Sequence, residues 1–349
     1  MISPTIDILV PVWNNPFETR ACLAAILMHS PGARLIIVDN GSSRETELML
    51  EEFSEPLGDR GLFIKSERNV GLVAAINLGL VRSDGDYTII LRPNVTVQSG
   101  WLESLVGAAE TAAAGMVSPQ FIGTESSRMP KLASGCTLIE SCTISFTTLL
   151  IRTEMRMVAG VFDDTLDGDE WCLKEYVQRV AAHGYRTCIT GNIRLSCSAG
   201  QHFGSDQRRK DQMFSSRSSY LSKWGLPLNY CIYFGVEVDA VSLGDTVSSI
   251  LDGARKGHYF VLMLHRGQYS AFRKMGWNGL HTGIVLQQLS LLFPLRDLQR
   301  KIAVLRSAVP DMLTVQGSEG MTIPGAEAAI SIEGMLNSIQ SNSASETLP

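Results

Sequence analysis

Arg92, Pro93 and Asn94 stand directly behind the apolar run Tyr87-Thr88-Ile89-Ile90-Leu91. Such a run, ending abruptly in a cation, a proline and an amide, reads as a buried parallel strand whose carboxyl end opens into a site. Ligands of open α/β sheets bind just beyond the carboxyl ends of strands, so Arg92 and Asn94 are the first residues to which chemistry is assigned. A second apolar run, Leu35-Ile36-Ile37-Val38, ends in Asp39. Further on, an acidic loop over 163–170 leads into a helix from Trp171, and a small-residue loop over 196–204 carries His202.

The elements that must position these residues alternate. Ile6-Asp7-Ile8-Leu9-Val10-Pro11 predicts a first strand, left by the loop Val12-Trp13-Asn14-Asn15-Pro16, and a helix follows over 17–29. The strand ending in Asp39 turns through Asn40-Gly41-Ser42-Ser43 into a helix whose N-cap is Ser42 or Ser43. A strand over 62–65, a helix opened by Asn69-Val70-Gly71-Leu72, the strand ending at Leu91, a helix over 100–114 and a strand over 115–119 complete the series. Strand and helix in strict alternation predict a doubly wound α/β sheet with right-handed crossovers. Neither GxGxxG nor GxxxxGK[ST] is present, which disfavours ordinary dinucleotide and P-loop sites. Beyond residue 221, strands over 230–236 and 259–264 flank a helix over 245–256, with helices to about residue 309 and a Ser- and Asn-rich tail expected to be disordered.

Composition narrows the class. The 349 residues are 45% hydrophobic and 19% charged with a net charge of -5, an ordinary globular balance and too acidic for a general nucleic-acid binder. Seven scattered cysteines form no CxxC pair, which points to a reducing compartment rather than to zinc or thiol-redox chemistry. With no signal peptide visible, the expectation is a cytoplasmic protein, with peripheral membrane contact or a homo-oligomer left open. The apolar stretch over 280–295, broken by His281, Gln287 and Gln288, is too short and polar to span a bilayer and reads as a helical stripe.

In order and spacing, "DILVPVWNN", "LIIVDNGSS", "NVGLVAAINLGL", "GDYTIILRPNVTV" and "GWLESLV" resemble the family 2 glycosyltransferases of GT-A fold. The likeness continues through "LLIRTEMRMVAGVFDD", "DGDEWCLKEYVQRVAAHGYR" and "GQHFGS", covering about residues 5–205. It implies a GT-A-type domain over 1–222; the pattern of the remaining chain is read as a carboxyl-terminal α/β or mostly helical domain over 223–336 and the tail 337–349. It also implies transfer of a sugar, with inversion, from a UDP- or dTDP-type donor to a saccharide or other hydroxyl acceptor.

By the same resemblance, Pro11, Trp13, Asn14 and Asp39 would hold base and ribose. A strand-end carboxylate can accept from an imide or from ribose hydroxyls, or Asp39 can simply cap the following turn. Asn69 and Gly71 open a helix whose amides would face the nucleotide, with Asn69 as a plain N-cap the other reading. The base would be Asp169 or Glu170, kept ionised at a helix amino terminus, although Asp167 or Asp169 there can also be caps. The family's acidic metal motif falls on Arg92-Pro93-Asn94, where neither carboxylate is present. Mn2+ or Mg2+ would then depend on Asn94 and His202, whereas Arg92 beside the site repels a cation and can itself offer a planar fork to a diphosphate. A catalytically inactive binding or scaffold relative is the alternative.

Overall fold

A computed structural model describes residues 4–132, 135–168, 170–199, 206–317, 321–324 and 329–341. The chain forms two compact units, one of Met1–Ile139 with Thr143–Ser219, the other of Glu140–Cys142 with Tyr220–Pro349.

In the first unit the chain runs β1 (Ile6–Val12), α1 (Pro16–His29), β2 (Arg34–Asn40), α2 (Arg44–Ser54), β3 (Gly61–Ser66), α3 (Leu72–Leu80), β4 (Tyr87–Leu91), β5 (Val95–Thr96), α4 (Trp101–Thr111) and β6 (Ala114–Gly123). It continues through β7 (Leu138–Glu140), β8 (Thr148–Arg152), α5 (Thr153–Ala159), α6 (Trp171–Ala182), β9 (Arg186–Cys197) and α7 (Asp206–Trp224), whose last residues pass into the second unit. The sheet order is β3-β2-β1-β4-β8-β6-β9-β5, with β7 also on β9. Strands β3, β2, β1 and β4 are parallel, and β8 enters antiparallel between β4 and β6. The sheet is therefore mixed, as the GT-A expectation requires.

The central strands carry no polar face because helices cover both sides, so β1, β2 and β4 read as almost unbroken apolar runs. Helix α3 lies so close to β1 that a Cβ on Gly79 would fall 2.1 Å from Leu9 Cδ1. Arg156 of α5 is buried and donates to Leu80 O (2.6 Å) and Ser83 O (2.8 Å), satisfying carbonyls at the end of α3. At the amino edge of the sheet, buried Asp7 accepts from Arg34, from the Ser83 hydroxyl and from the Asp84 and Gly85 amides. Burial alone would raise its pKa, but those donors together outweigh it and hold the carboxylate below its ordinary range.

The second unit contains β10 (Asn229–Tyr233), α8 (Gly244–Arg255), β11 (Tyr259–Leu264), α9 (Arg266–Lys274), β12 (Ile284–Gln288), α10 (Pro294–Ala308), β13 (Leu313–Gln316), β14 (Ile330–Ser331) and α11 (Ile332–Ser341). All its described strand pairs are parallel, in the order β12-β11-β10-β13-β14, so this unit is α/β rather than mostly helical. Arg255 closes on Glu140 through two hydrogen bonds of 2.7 and 2.9 Å.

Four details depart from the sequence reading. Helix α3 begins at Leu72 rather than at Asn69. The stretch 280–295 is not a helical stripe: Ile284–Gln288 is strand β12, paired to β11, because a short run rich in branched residues satisfies its backbone better beside a parallel neighbour. Helix α7 was not anticipated. Residues 337–341 belong to α11, and 342–349 lie outside the described residues.

His258 and His281 are buried in the second unit, and each ring accepts a backbone N–H at Nδ1, from Leu228 and Gly283. Burial, as the leading cause, lowers both pKa values to about 4 from the ordinary 6.5. Between those limits the unfolded chain takes up protons that the folded chain refuses, so stability present at pH 7 declines as pH falls from 6.5 towards 4. Urea denaturation at pH 7 and pH 4.5 tests this. The midpoint is expected to fall at the lower pH, by the equivalent of roughly 1–3 kcal/mol per ring, and to fall less in His281→Gln.

Candidate active site at the carboxyl ends of the strands

Because β1 to β4 run parallel, the loops that leave them emerge on one edge, and side-chain amides join those loops. The chain leaves β1 through Asn14 and Asn15, both left-handed (φ 59° and 56°), a conformation asparagine tolerates better than other non-glycine residues. The Asn14 amide N–H donates to Ser42 Oγ (2.9 Å), and its side-chain Oδ1 accepts from Ser43 N (2.8 Å). Asn14 thus spends its polar groups on tying the β1 exit to the β2 exit. Pro11 is buried within β1, paired in register with Val38, and Trp13 is half-buried in the loop.

Asp39 is buried at the end of β2, in register with Val12 on one side and Lys65 on the other. Its Oδ1 accepts from Ser42 N (3.0 Å), so it does cap the turn. Its Oδ2 makes no hydrogen bond among the described residues, which leaves one carboxylate oxygen for a further donor.

Asn40, which the sequence reading passed over, does the most joining. Its buried amide accepts from Val70 N (2.9 Å) and donates to Asn69 Oδ1 (3.1 Å) and Gly71 O (3.2 Å). Asn69 also accepts from Gly71 N (2.9 Å), so it makes an Asx turn and does not cap α3. Gly71 is the N-cap, with φ 97° and no side chain on the helix amides. Gly41 has φ +68°, and a Cβ there would sit 2.3 Å from the Arg68 carbonyl carbon, so neither the turn nor the close approach admits a side chain.

Residues 92–95 form a turn closed by Val95 N to Arg92 O (3.1 Å). Arg92 is half-buried, and its charge reaches the Cys197 thiol. Burial raises that thiol's pKa, and the Thr124 hydroxyl and Arg92 act against the rise without reversing it. Asn94 Nδ2 donates to Ser198 O (2.9 Å) and contacts Cys197 Sγ (3.2 Å). Since Ser198 O only accepts, the amide's orientation is set, and Asn94 Oδ1 is left buried with no hydrogen bond among the described residues. Ser198 Oγ in turn donates to Glu18 of α1, whose other oxygen accepts from Asn15. The hydrogen bonds therefore run unbroken from the Arg92–Val95 turn to the start of α1.

The acidic loop lies against α3. A Cβ on Gly168 would sit 3.3 Å from Val73 Cγ2, and the Asn77 amide grips the Phe162 backbone with bonds of 2.8 and 3.1 Å. Buried Asp167 accepts from Glu170 N (2.7 Å) and Trp171 N (3.0 Å), which makes it the side-chain cap at the start of α6. Glu170 itself is half-exposed and pairs with Lys174 at 2.6 Å. Asp169 and His202 lie outside the described residues.

Among the described residues, no group of three His, Cys, Asp or Glu could hold a metal ion. At the strand end, Asn94 Oδ1 is a single neutral oxygen beside an arginine, which does not fit the anionic oxygen cage that Mn2+ or Mg2+ prefers. No helix of the described residues is long and apolar enough to cross a membrane.

Residues 7–141 match the family model "Glycosyl transferase family 2". Glycosyltransferase GlyA of Streptococcus pneumoniae is 30% identical over 106 residues, 30% of this chain and 15% of that protein. Pre-mycofactocin glycosyltransferase of Mycobacterium tuberculosis is 26% identical over 209 residues, 52% of this chain and 43% of its own. The chain thus spans less than half the length of either curated relative. Among solved structures, the mannosyltransferase PcManGT from Pyrobaculum calidifontis, in complex with GDP-Man and Mn2+, superposes with a TM-score of 0.50 at 16% identity, covering 62% of this chain and 65% of that one. By these matches residues 7–141 are a family 2 glycosyltransferase-like stretch, and the mixed sheet that contains them has the fold of the GT-A glycosyltransferases.

Proposed function

We propose that the chain transfers a sugar from a nucleoside diphosphate sugar to a hydroxyl of a saccharide or similar acceptor, with inversion at the anomeric carbon. The observation that carries this reading is the linked set of strand-end loops, Asn14 to Ser42–Ser43 and Asn40 to Asn69–Gly71, within the stretch matching the family. A preorganised edge of that kind suits a rigid, polar ligand, because the loops need no ordering when it binds. Pro11, Trp13 and Asn14 form the wall for base and ribose. Asp39 Oδ2 accepts from the imide of a uridine- or thymidine-type base, and the uncapped amides of α3 behind Asn69 and Gly71 face the phosphates.

In the reaction the acceptor oxygen attacks the anomeric carbon as the bond to the diphosphate oxygen breaks. The nucleoside diphosphate leaves with the bonding pair, and a carboxylate takes the acceptor's proton. Asp169 is assigned that role. Glu170, the next residue in the sequence, must give up Lys174 to serve and is the second candidate. Arg92 stabilises charge on the departing diphosphate with a fork of donors, the part a divalent cation plays elsewhere.

Two measurements test this. Calorimetry with UDP-, dTDP- and GDP-sugars should detect binding of at least one donor. Asn40→Ala should weaken that binding about tenfold, because the 69–71 loop loses its partners at a cost of roughly 1–3 kcal/mol. No binding to any nucleoside diphosphate would overturn the reading.

Turnover should survive chelator, fall by a hundredfold or more in Asp169→Ala, and fall with weakened donor affinity in Arg92→Ala. Loss of turnover on chelation would make Asn94 and His202 ligands and remove the role given to Arg92. Donor binding without turnover would leave a binding or scaffold protein.

A further inference from the structure

The second unit carries an apolar tip that no part of the proposed transfer uses. Between β12 and α10 the chain exposes Leu291 (64%), Leu292 (78%) and Phe293 (61%), and one residue into the helix Leu295 is exposed as well. Isolated exposed leucines are ordinary, but four large apolar side chains within five residues form a contiguous patch. The tip is held rigid. Asp297 reaches back so that Ser290 N donates to its Oδ2 (2.9 Å), Asp297 N donates to Phe293 O (3.0 Å), and Pro294 fixes the first position of α10. These bonds fix the backbone on both sides of the apolar residues.

The charges around the tip are one-sided. Arg296 stacks over the Phe293 ring at 5.7 Å and Arg300 is three-quarters exposed, whereas Lys301 is mostly buried and donates to Gln288 O (3.0 Å). The one acid among residues 289–308, Asp297, is turned inward and bonded to Ser290 and Arg300. In a chain of net charge -5, this end of α10 is locally cationic. An aromatic and aliphatic wedge collared by arginines is the arrangement by which a peripheral protein inserts shallowly between anionic lipid headgroups.

We infer that the 291–295 tip, with Arg296 and Arg300, docks the protein on an anionic membrane surface. The inference is independent of the reaction assigned to the first unit. It is tested by co-sedimentation of the full chain with vesicles of phosphatidylglycerol and phosphatidylcholine, and with phosphatidylcholine alone. Binding is expected on the anionic vesicles, reduced by high salt and at least tenfold weaker on the neutral ones. The double variant Leu292→Glu/Phe293→Glu should lose binding tenfold or more with an unchanged circular-dichroism spectrum, since both side chains are exposed. Arg296→Glu/Arg300→Glu should lose the preference for anionic lipid. Failure of the wild type to sediment, or equal sedimentation of the Leu292→Glu/Phe293→Glu variant, overturns the inference. So does a dimer of the wild type in sedimentation velocity that this variant dissolves without any lipid binding, which would make a second copy the occupant.

Discussion

Four loops leave the parallel strands of the first unit, and nothing in a sheet's backbone ladder holds such loops to one another. Here the buried amide of Asn40 supplies much of that restraint. Both its oxygen and its nitrogen are committed to residues 69–71, thirty positions away in sequence. A buried amide left unpaired would cost more than its hydrogen bonds contribute, so the 69–71 loop cannot swing away without exposing or stranding Asn40. Asn14 does the same between the first two exits, and Ser198 and Glu18 carry the connection to Asn94. The loops are joined because asparagines, which both donate and accept, stand where chains must be bridged in two directions.

Much of the architecture was legible in the sequence for a simple reason. A strand covered on both faces reads as a run of apolar residues, as Leu35–Val38 of β2 and Ile89–Leu91 of β4 do. Helix α6, with tyrosine and valine on its buried side, carries the expected periodicity and begins at Trp171 as read. Helix α7 escaped because its 19 residues are mostly serine, arginine, lysine and glutamine, with little apolar stripe to detect. Strand β9 runs on to Cys197, and the alternation Ile193, Leu195, Cys197 against Asn192, Arg194, Ser196 was a visible period of two.

The strand ends were legible as positions and much less as connections. Asp39 and Arg92-Pro93-Asn94 follow from strand ends, which a sequence displays. Asn40 to Val70 and Asp167 to Ser216 are contacts across tens of residues, set by loop geometry that no local pattern encodes. The second unit shows the same division. Its parallel strands were partly readable, but their order, which places β10 at the point where the sheet reverses direction beside β13, is a property of the assembled sheet.

Gly41 brings one constraint on change. The backbone at Arg68 and Asn69 lies directly against it, with no side chain between the two segments. A lengthened β3–α3 connection would have to move the β2–α2 turn with it, and a lengthened turn would have to move the connection. The two loops are therefore coupled: the backbone contact at Gly41 ties a change in one to a change in the other.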